Sequence, residues 1–265
     1  MKGTFFGKYY KFISPTGFSM AIIVAESNEG PSIQLITRQS SYQIRDLSSV
    51  RIENENRFMF SINQDGLNMT GALEIKQLHP LSKKVMGPFS NIPFLECRHE
   101  IYSMYHDVTG SLNVNGEEIS FENGYGYIEG DAGRNFPKKY IWYNSVLPCR
   151  QTLTLAIAHI PFGLFSFTGV LCFLKTEKDE YYLCTWHGVK IEKAKDRTVI
   201  LQKGSDRLEL EVDDREGHLL SAPVQGNMVR TIKENLVIPS KYRFLRNGKV
   251  ILEGEDSYSS CEWVE

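Results

Sequence analysis

The sequence has no CxxC pair, and its five cysteines, at 97, 149, 172, 184 and 261, are an odd number without tight spacing. A disulfide framework is therefore not expected, and reduced, unpaired thiols in a cytoplasmic setting are. An excess of charge of one sign is also lacking. Thirty basic and 32 acidic residues leave a net charge of −2, so nothing points to nucleic acid or to anionic lipid. The N-terminal MKGTFFGKYYKF holds no apolar signal core, so export is not expected and the sequon Asn68-Met69-Thr70 carries no meaning. No G-x-S-x-G, P-loop or H-E-x-x-H occurs, and G-Y-G-Y-I-E-G has no βαβ frame around it, so hydrolase, zincin and nucleotide readings lack support. Helical periodicity is scarce, with room for a short helix near Asp46 to Val50. Thr152 to Leu174 contains no Asp, Glu, Lys or Arg and is long enough to span a bilayer. His159-Ile160-Pro161-Phe162-Gly163 interrupts it, and Leu153, Leu155 and Ile157 alternate with small or polar residues. It reads as two buried strands around a turn, with no integral membrane association.

Strand signals are plentiful. SMAIIVAES, SIQLITRQ, EYYLCTWHGVKIEKA, RTVILQKG and DRLELEVDD alternate or run apolar between turn residues. Asp65-Gly66, Asn115-Gly116 and Asn247-Gly248 mark hairpin tips. Roughly eighteen strands are too many for one small barrel and suit two. The fold class expected is all-β, with two antiparallel barrel domains packed together and no linker between them. The boundary is placed near residue 120, giving units 1–120 and 121–265, with the GYIEGDAGRNFP stretch opening the second.

That stretch concentrates the chemistry. At strand spacing Tyr125, Tyr127, Glu129 and Asp131 share one face, and Gly126, Ile128 and Gly130 the other. Two acids this close in an apolar pocket cannot both ionise cheaply, so one pKa rises. A carboxylic acid kept neutral can protonate an alkene or donate to a carbonyl. The competing reading is structural: Asp131-Ala132-Gly133 as a turn, braced by Arg134 on either acid. Tyr127, Tyr140 and Trp142 suit a hydrophobic pocket with polar tips or an aromatic core. Asn144 shares the Trp142 face and can bond a ligand oxygen or a strand edge. Glu96, His99 and His106 form a second group. Their strand parities require a bulge to converge; their spacing is weak for zinc, and no metal is expected. If the segment faces Glu129, a His–carboxylate proton relay results; otherwise surface and capping roles follow. His159, His187 and His218 are scattered.

Glu129, Asp131, Gly133, Arg134, Phe136, Pro137, Tyr140, Trp142 and Ser145 resemble the E-x-D-W-G-R-S-F-P-x-x-Y-x-W-x-Q-S signature of the tocopherol cyclase-like family, with Ala132 for its Trp and Asn144 for its Gln. Met86, Pro88, Phe89, Pro93, Phe94, Glu96, Cys97, His99, Ser103, Met104 and His106 resemble a second segment. Phe5, Gly7, Tyr9 and Lys11 resemble a third, in which Phe6 and Lys8 replace Glu and Trp. Ala222, Pro223, Gly226, Met228, Arg230, Ile232 and Glu234 resemble a fourth. The resemblance implies two lipocalin-like barrels with a site in or between them, and acid catalysis by Glu129 or Asp131.

Three functions follow as expectations. The first is a cofactor-independent, acid-catalysed cyclase, isomerase or hydratase acting on a prenylated or otherwise apolar small molecule. In it Glu129 and Asp131 are catalytic, and Tyr127, Arg134, Trp142, Asn144, Glu96 and His99 bind ligand. The second is a lipocalin-like carrier of a hydrophobic ligand, suited by the departures from the family pattern and by 12% aromatics. The third is a protein with filled barrels that acts through partners. A cavity walled by the acids favours the first, a cavity without them the second, and no cavity the third.

Overall fold

Short strands that cannot bury a face alone must pair and curl, and here they do so twice. The computed structural model describes residues 3–92, 95–162 and 165–265. Pro93 and Phe94 of the resemblance, and Gly163 at the interruption, lie outside the described residues. The first sheet holds β1 (Phe5–Ile13), β2 (Ser19–Ser27), β3 (Gly30–Thr37), β4 (Ser41–Gln43), β5 (Val50–Glu53), β6 (Arg57–Gln64), β7 (Leu67–His79), β8 (Cys97–Val114), β9 (Glu117–Ser120) and β10 (Gly124–Gly133). The second holds β11 (Tyr140–Leu147), β12 (Gln151–Phe162), β13 (Phe165–Lys175), β14 (Glu180–Tyr182), β15 (Lys190–Lys195), β16 (Thr198–Lys203), β17 (Asp206–Val212), β18 (His218–Val224), β19 (Asn227–Arg246) and β20 (Lys249–Val264). The strand orders are β4-β3-β2-β1-β10-β8-β7-β6-β5, with β9 paired to β8, and β14-β13-β12-β11-β20-β19-β17-β16-β15, with β18 paired to β19; the two paths differ only in which strand of that hairpin lies on the path, and the pairings among the described residues are antiparallel. The protein is two lipocalin-like barrels.

Side chains draw the ends of each sheet together. Gln64 Nε2 donates to the Gln43 carbonyl at 3.0 Å, and Lys203 Nζ to the Tyr182 carbonyl at 2.8 Å. Inside the first barrel Phe12, Ile22, Phe58, Met69 and Phe121 pack; inside the second, Tyr143, Leu153, Leu201, Leu210 and Phe244. A third cluster, with Tyr9, Ile13, Tyr125, Tyr127, Trp142 and Leu236, joins the two sheets. Its residues on β1, β10 and β11 are the alternate side chains of those strands, so strand periodicity assigns each one face to its own barrel and one to its neighbour, whereas on β19 one face serves the joint at Ile232 and Leu236 and the second barrel at Ile238, Tyr242 and Phe244.

The hairpin expectations hold. Asn115 and Gly116 have φ of 53° and 90°, and Asn247 and Gly248 of 51° and 72°, the left-handed pair such turns require. Asp46 caps a single 3-10 turn, Leu47–Ser49, where the short helix was expected. The five cysteines are free, and no helix among the described residues is long and apolar enough to cross a membrane. Two expectations need correction. Thr152 to Leu174 does form two strands, but only their inner halves are buried; Pro161 and Phe165 are exposed because the hairpin runs past the barrel wall. The chain crosses between sheets from Gly133 to Tyr140, so β10 belongs to the first sheet, beside β1, whereas the sequence reading set it at the opening of the second unit.

Gly126 on β10 shows how tightly the first barrel closes. A Cβ there would sit 2.0 Å from the Lys11 carbonyl oxygen and 2.5 Å from His106 Nε2. The carbonyl belongs to the paired strand and cannot swing away. Gly126→Ala is expected to destabilise the fold by about 3 kcal/mol, the upper end of overpacking, measured as a lowered urea midpoint at unchanged slope.

Candidate active site

The alternation of β10 aims Tyr127, Glu129 and Asp131 at the second barrel, as their spacing predicts. Two extra residues on β8, opposite Gly126 to Glu129, shift its register, and Asp131 then faces His99 directly. The expected convergence of Glu96, His99 and His106 on one face does not occur: the two extra residues cancel in parity and leave His99 and His106 on opposite faces, a shift of register alone. It delivers His99 to the acids and leaves His106 turned away into the first barrel beside Phe12. His106 is fully buried, with neither ring nitrogen bonded among the described residues. Burial drives its pKa down to about 3, so it stays neutral. Glu96 also leaves the site: its carbonyl accepts from the Arg134 amide at 2.7 Å and its carboxylate from Asn135 Nδ2 at 3.1 Å, which braces the loop after β10.

Glu129 is 5% exposed. Its Oε2 accepts from Tyr127 Oη at 2.7 Å and Trp142 Nε1 at 3.0 Å, and lies 3.6 Å from His99 Nε2. Asp131 Oδ1 lies 3.1 Å from His99 Nδ1 and accepts from Cys97 Sγ at 3.4 Å. Burial pushes the Glu129 carboxyl up to about 7, while the His99 charge pulls it down. Burial opposes the His99 cation, yet Glu129 and Asp131 outweigh it and hold its pKa up to about 9. The imidazolium therefore bridges a carboxylate and a carboxyl group that titrates near neutrality.

These side chains open onto a cavity of about 170 Å³ between the barrels, close to the ~150 Å³ that suffices for one benzene. Its walls are mostly apolar: Phe5, Ile23, Phe136, Ala156 and Leu171 beside Trp142 and Tyr140. The turn of the signature supplies Phe136 and Pro137. Arg230 clamps that turn by donating to the Pro137 and Lys138 carbonyls at 2.8 and 2.7 Å.

Several expectations are corrected here. Arg134 is exposed and pairs with neither acid among the described residues; His99 takes that place, because β10 continues through Gly133 and carries Arg134 past the cavity mouth. Asp131-Ala132-Gly133 is strand, not turn. Lys138 and Lys139 are exposed. Asn144 is fully buried and does not line the cavity; it is flanked by Thr154 and Ser260 on the neighbouring strands, and neither end of its amide is bonded among the described residues. His99, Glu129 and Asp131 offer three donor atoms within 4.8 Å of one another, a set that could hold a metal ion. In the arrangement observed, His99 Nδ1 is committed to Asp131, and Glu129 Oε2 to two hydrogen-bond donors.

The sequence reading missed four buried polar groups. Tyr9 Oη donates to Glu234 Oε1 at 2.7 Å, Lys11 Nζ donates to the Tyr258 carbonyl at 2.7 Å, and Tyr140 Oη donates to Glu262 Oε2. Burial pushes Glu234 up to about 7 and Lys11 down to about 8. A signal existed: Met228, Ile232 and Glu234 alternate on β19, and the first two line the cavity.

A titration prediction follows for Glu129. Its folded pKa, about 7, lies above its ordinary 4.5, so between these values the native state holds a proton that the unfolded state has released. The associated stability is fully present below pH 4.5 and is lost as pH rises through about 7. Wild type is expected to lose stability relative to Glu129→Gln across that window, measured by paired thermal melts.

No family model matches the chain, and no curated protein does. Solved structures do. A protein of Nitrosomonas europaea proposed to be an AttH aligns over 99% of this chain and 93% of its own, at 14% identity and a TM-score of 0.56. Kievitone hydratase from Nectria haematococca aligns over 99% and 89%, at 12% identity and a TM-score of 0.55. CghA with Sch210972 aligns over 99% and 88%, at 8% identity and a TM-score of 0.61. At these identities the likeness is one of fold: both barrels in the same succession.

Proposed function

We propose that this protein is a cofactor-independent acid catalyst of the tocopherol cyclase-like kind, a cyclase, isomerase or hydratase acting on an apolar, prenylated small molecule held between the barrels. One observation carries the reading: a buried carboxyl group, Glu129, on the wall of an apolar cavity, with its Oε2 held by Tyr127 and Trp142 and beside the His99 cation. Burial raises the acid's pKa to about 7, so much of it still carries its proton near neutral pH, and the three partners stabilise the carboxylate that remains once the proton is given.

In this reading the Glu129 proton adds to one alkene carbon, and the π pair forms the new C–H bond. The cation left on the other carbon is captured by an oxygen, of a phenol in cyclisation or of water in hydration. That oxygen returns its proton to Glu129, so the acid is regenerated and the net reaction adds O–H across the double bond. Asp131 holds His99 charged and oriented, and Tyr140 and Trp142 pack the reacting face. The name of one fold neighbour, a hydratase, is compatible with such an addition.

The test is incubation with 2-prenylphenol in D₂O. The expected product is the cyclic ether or the tertiary alcohol, with one deuterium at the former alkene carbon. Binding of 2-prenylphenol without turnover would replace the reading with that of a carrier.

A further inference from the structure

The cavity has a second acid that the mechanism above leaves unused. Glu262, on β20, lines it from the second barrel and is 8% exposed. It stands directly across the strand pair from Trp142, whose indole N–H holds Glu129, so the two acids flank one tryptophan on facing sheets. Its other strand neighbour is Glu234, itself fully buried.

Among the described residues no cation pairs with Glu262, whereas Glu129 has His99 and Lys11 acts on Glu234. An unpaired carboxylate in such a place is far costlier than a neutral acid. Burial and the Glu234 charge accordingly push its pKa well above the carboxylate range. Tyr140 takes one carboxyl oxygen, Oε2. The other oxygen, with the acid's proton, remains for a molecule in the cavity.

We infer that Glu262, fixed by Tyr140, is a substrate-recognition acid: it donates a hydrogen bond to a carbonyl oxygen of an apolar, ring-sized ligand. This rests on reading the same cavity as the reaction site and names its substrate class more closely, as aromatic or enone ketones whose oxygen points away from Glu129. An acid that donates to an uncharged acceptor discriminates strongly, because a hydrocarbon of the same shape leaves the buried donor unmade.

Acetophenone and ethylbenzene, which share a phenyl ring and a two-carbon chain and differ in the carbonyl oxygen, are the probes. Calorimetric titration should show wild type binding acetophenone about tenfold more tightly than ethylbenzene, the worth of one such hydrogen bond. Glu262→Leu should abolish that preference and Glu129→Gln should keep it. Infrared difference spectra with ¹³C-carbonyl acetophenone supply a second readout that needs only an isosteric variant. A protein carboxylic-acid band should shift on binding in wild type and in Glu129→Gln, and be missing in Glu262→Gln.

A preference that survives Glu262→Leu, equal or no binding of both probes to wild type, or a shifting band that disappears in Glu129→Gln instead, overturns the inference. Should Glu129→Gln leave turnover of 2-prenylphenol intact, the catalytic reading fails, while the Glu262 result stands on its own binding and infrared data.

Discussion

Glu129→Gln is expected to lower turnover of 2-prenylphenol by about 10²–10⁴-fold, the usual contribution of a positioned general acid, with the melting temperature on the acid side of the Glu129 transition changed by no more than about 3 °C, roughly 1 kcal/mol in a chain of this size. The amide can still accept from Tyr127 and Trp142, which hold the Oε2 position at 2.7 and 3.0 Å, so shape and packing persist. It cannot deliver a proton. Affinity for 2-prenylphenol should accordingly stay within about threefold of wild type, measured by calorimetry beside the kinetics. Asp131→Asn should behave differently. It removes a charge that holds His99 up at about 9, and so should move the alkaline limb of the pH–rate profile, on which the protonated groups are lost, more than the maximal rate. If both amides instead lowered the melting temperature by several degrees and left turnover alone, the pair would be a loop brace and the mechanism would be wrong.

The largest effect on stability is expected at Trp142. It is 6% exposed, packs edge-on against Tyr9 at 5.4 Å between ring centroids, and donates to Glu129. It thus sits where three requirements meet: the contact between barrels, the cavity wall and the acid's environment. Trp142→Ala removes a large buried ring from a cluster fed by both sheets and should cost about 3–5 kcal/mol, a fall of roughly 10 °C or more at the ~2–4 °C per kcal/mol of a chain this long. Trp142→Phe should recover more than half of that, since it restores most of the packing but not the indole N–H. Thermal melts of the three proteins decide the matter; equal stability of Trp142→Ala and wild type would show that the barrels do not depend on this contact.

How much of this was legible beforehand divides along a physical line. Strand alternation is local, so the shared face of Tyr127, Glu129 and Asp131 could be read directly, and the structure keeps it because β10 itself carries no bulge. The Asn-Gly tips were readable for the same reason: two residues with positive φ admit few alternatives. The His99 position was half readable. Parity already set His99 and His106 on opposite faces, and two extra residues on β8 keep them there, but which residue stands opposite Asp131 depended on the register those extra residues set. Arg134 was misplaced because its role was argued from proximity in sequence, and one more strand residue carried it outside. Glu262 and Glu234 were invisible as a pair, since they lie on different strands and only the β19–β20 register makes them neighbours.

By itself, then, the sequence determined the β class, the hairpins and the acid face of one strand, all set by interactions between residues near in the chain. The tertiary structure decided what those acids are. Burying β10 against a second barrel removed water from Glu129, raised its pKa and placed Trp142 on it from 13 residues away. The same packing left Glu262 without a cation. Desolvation and charge pairing across two sheets are properties of the assembled interface, and no stretch of the chain holds them before it folds.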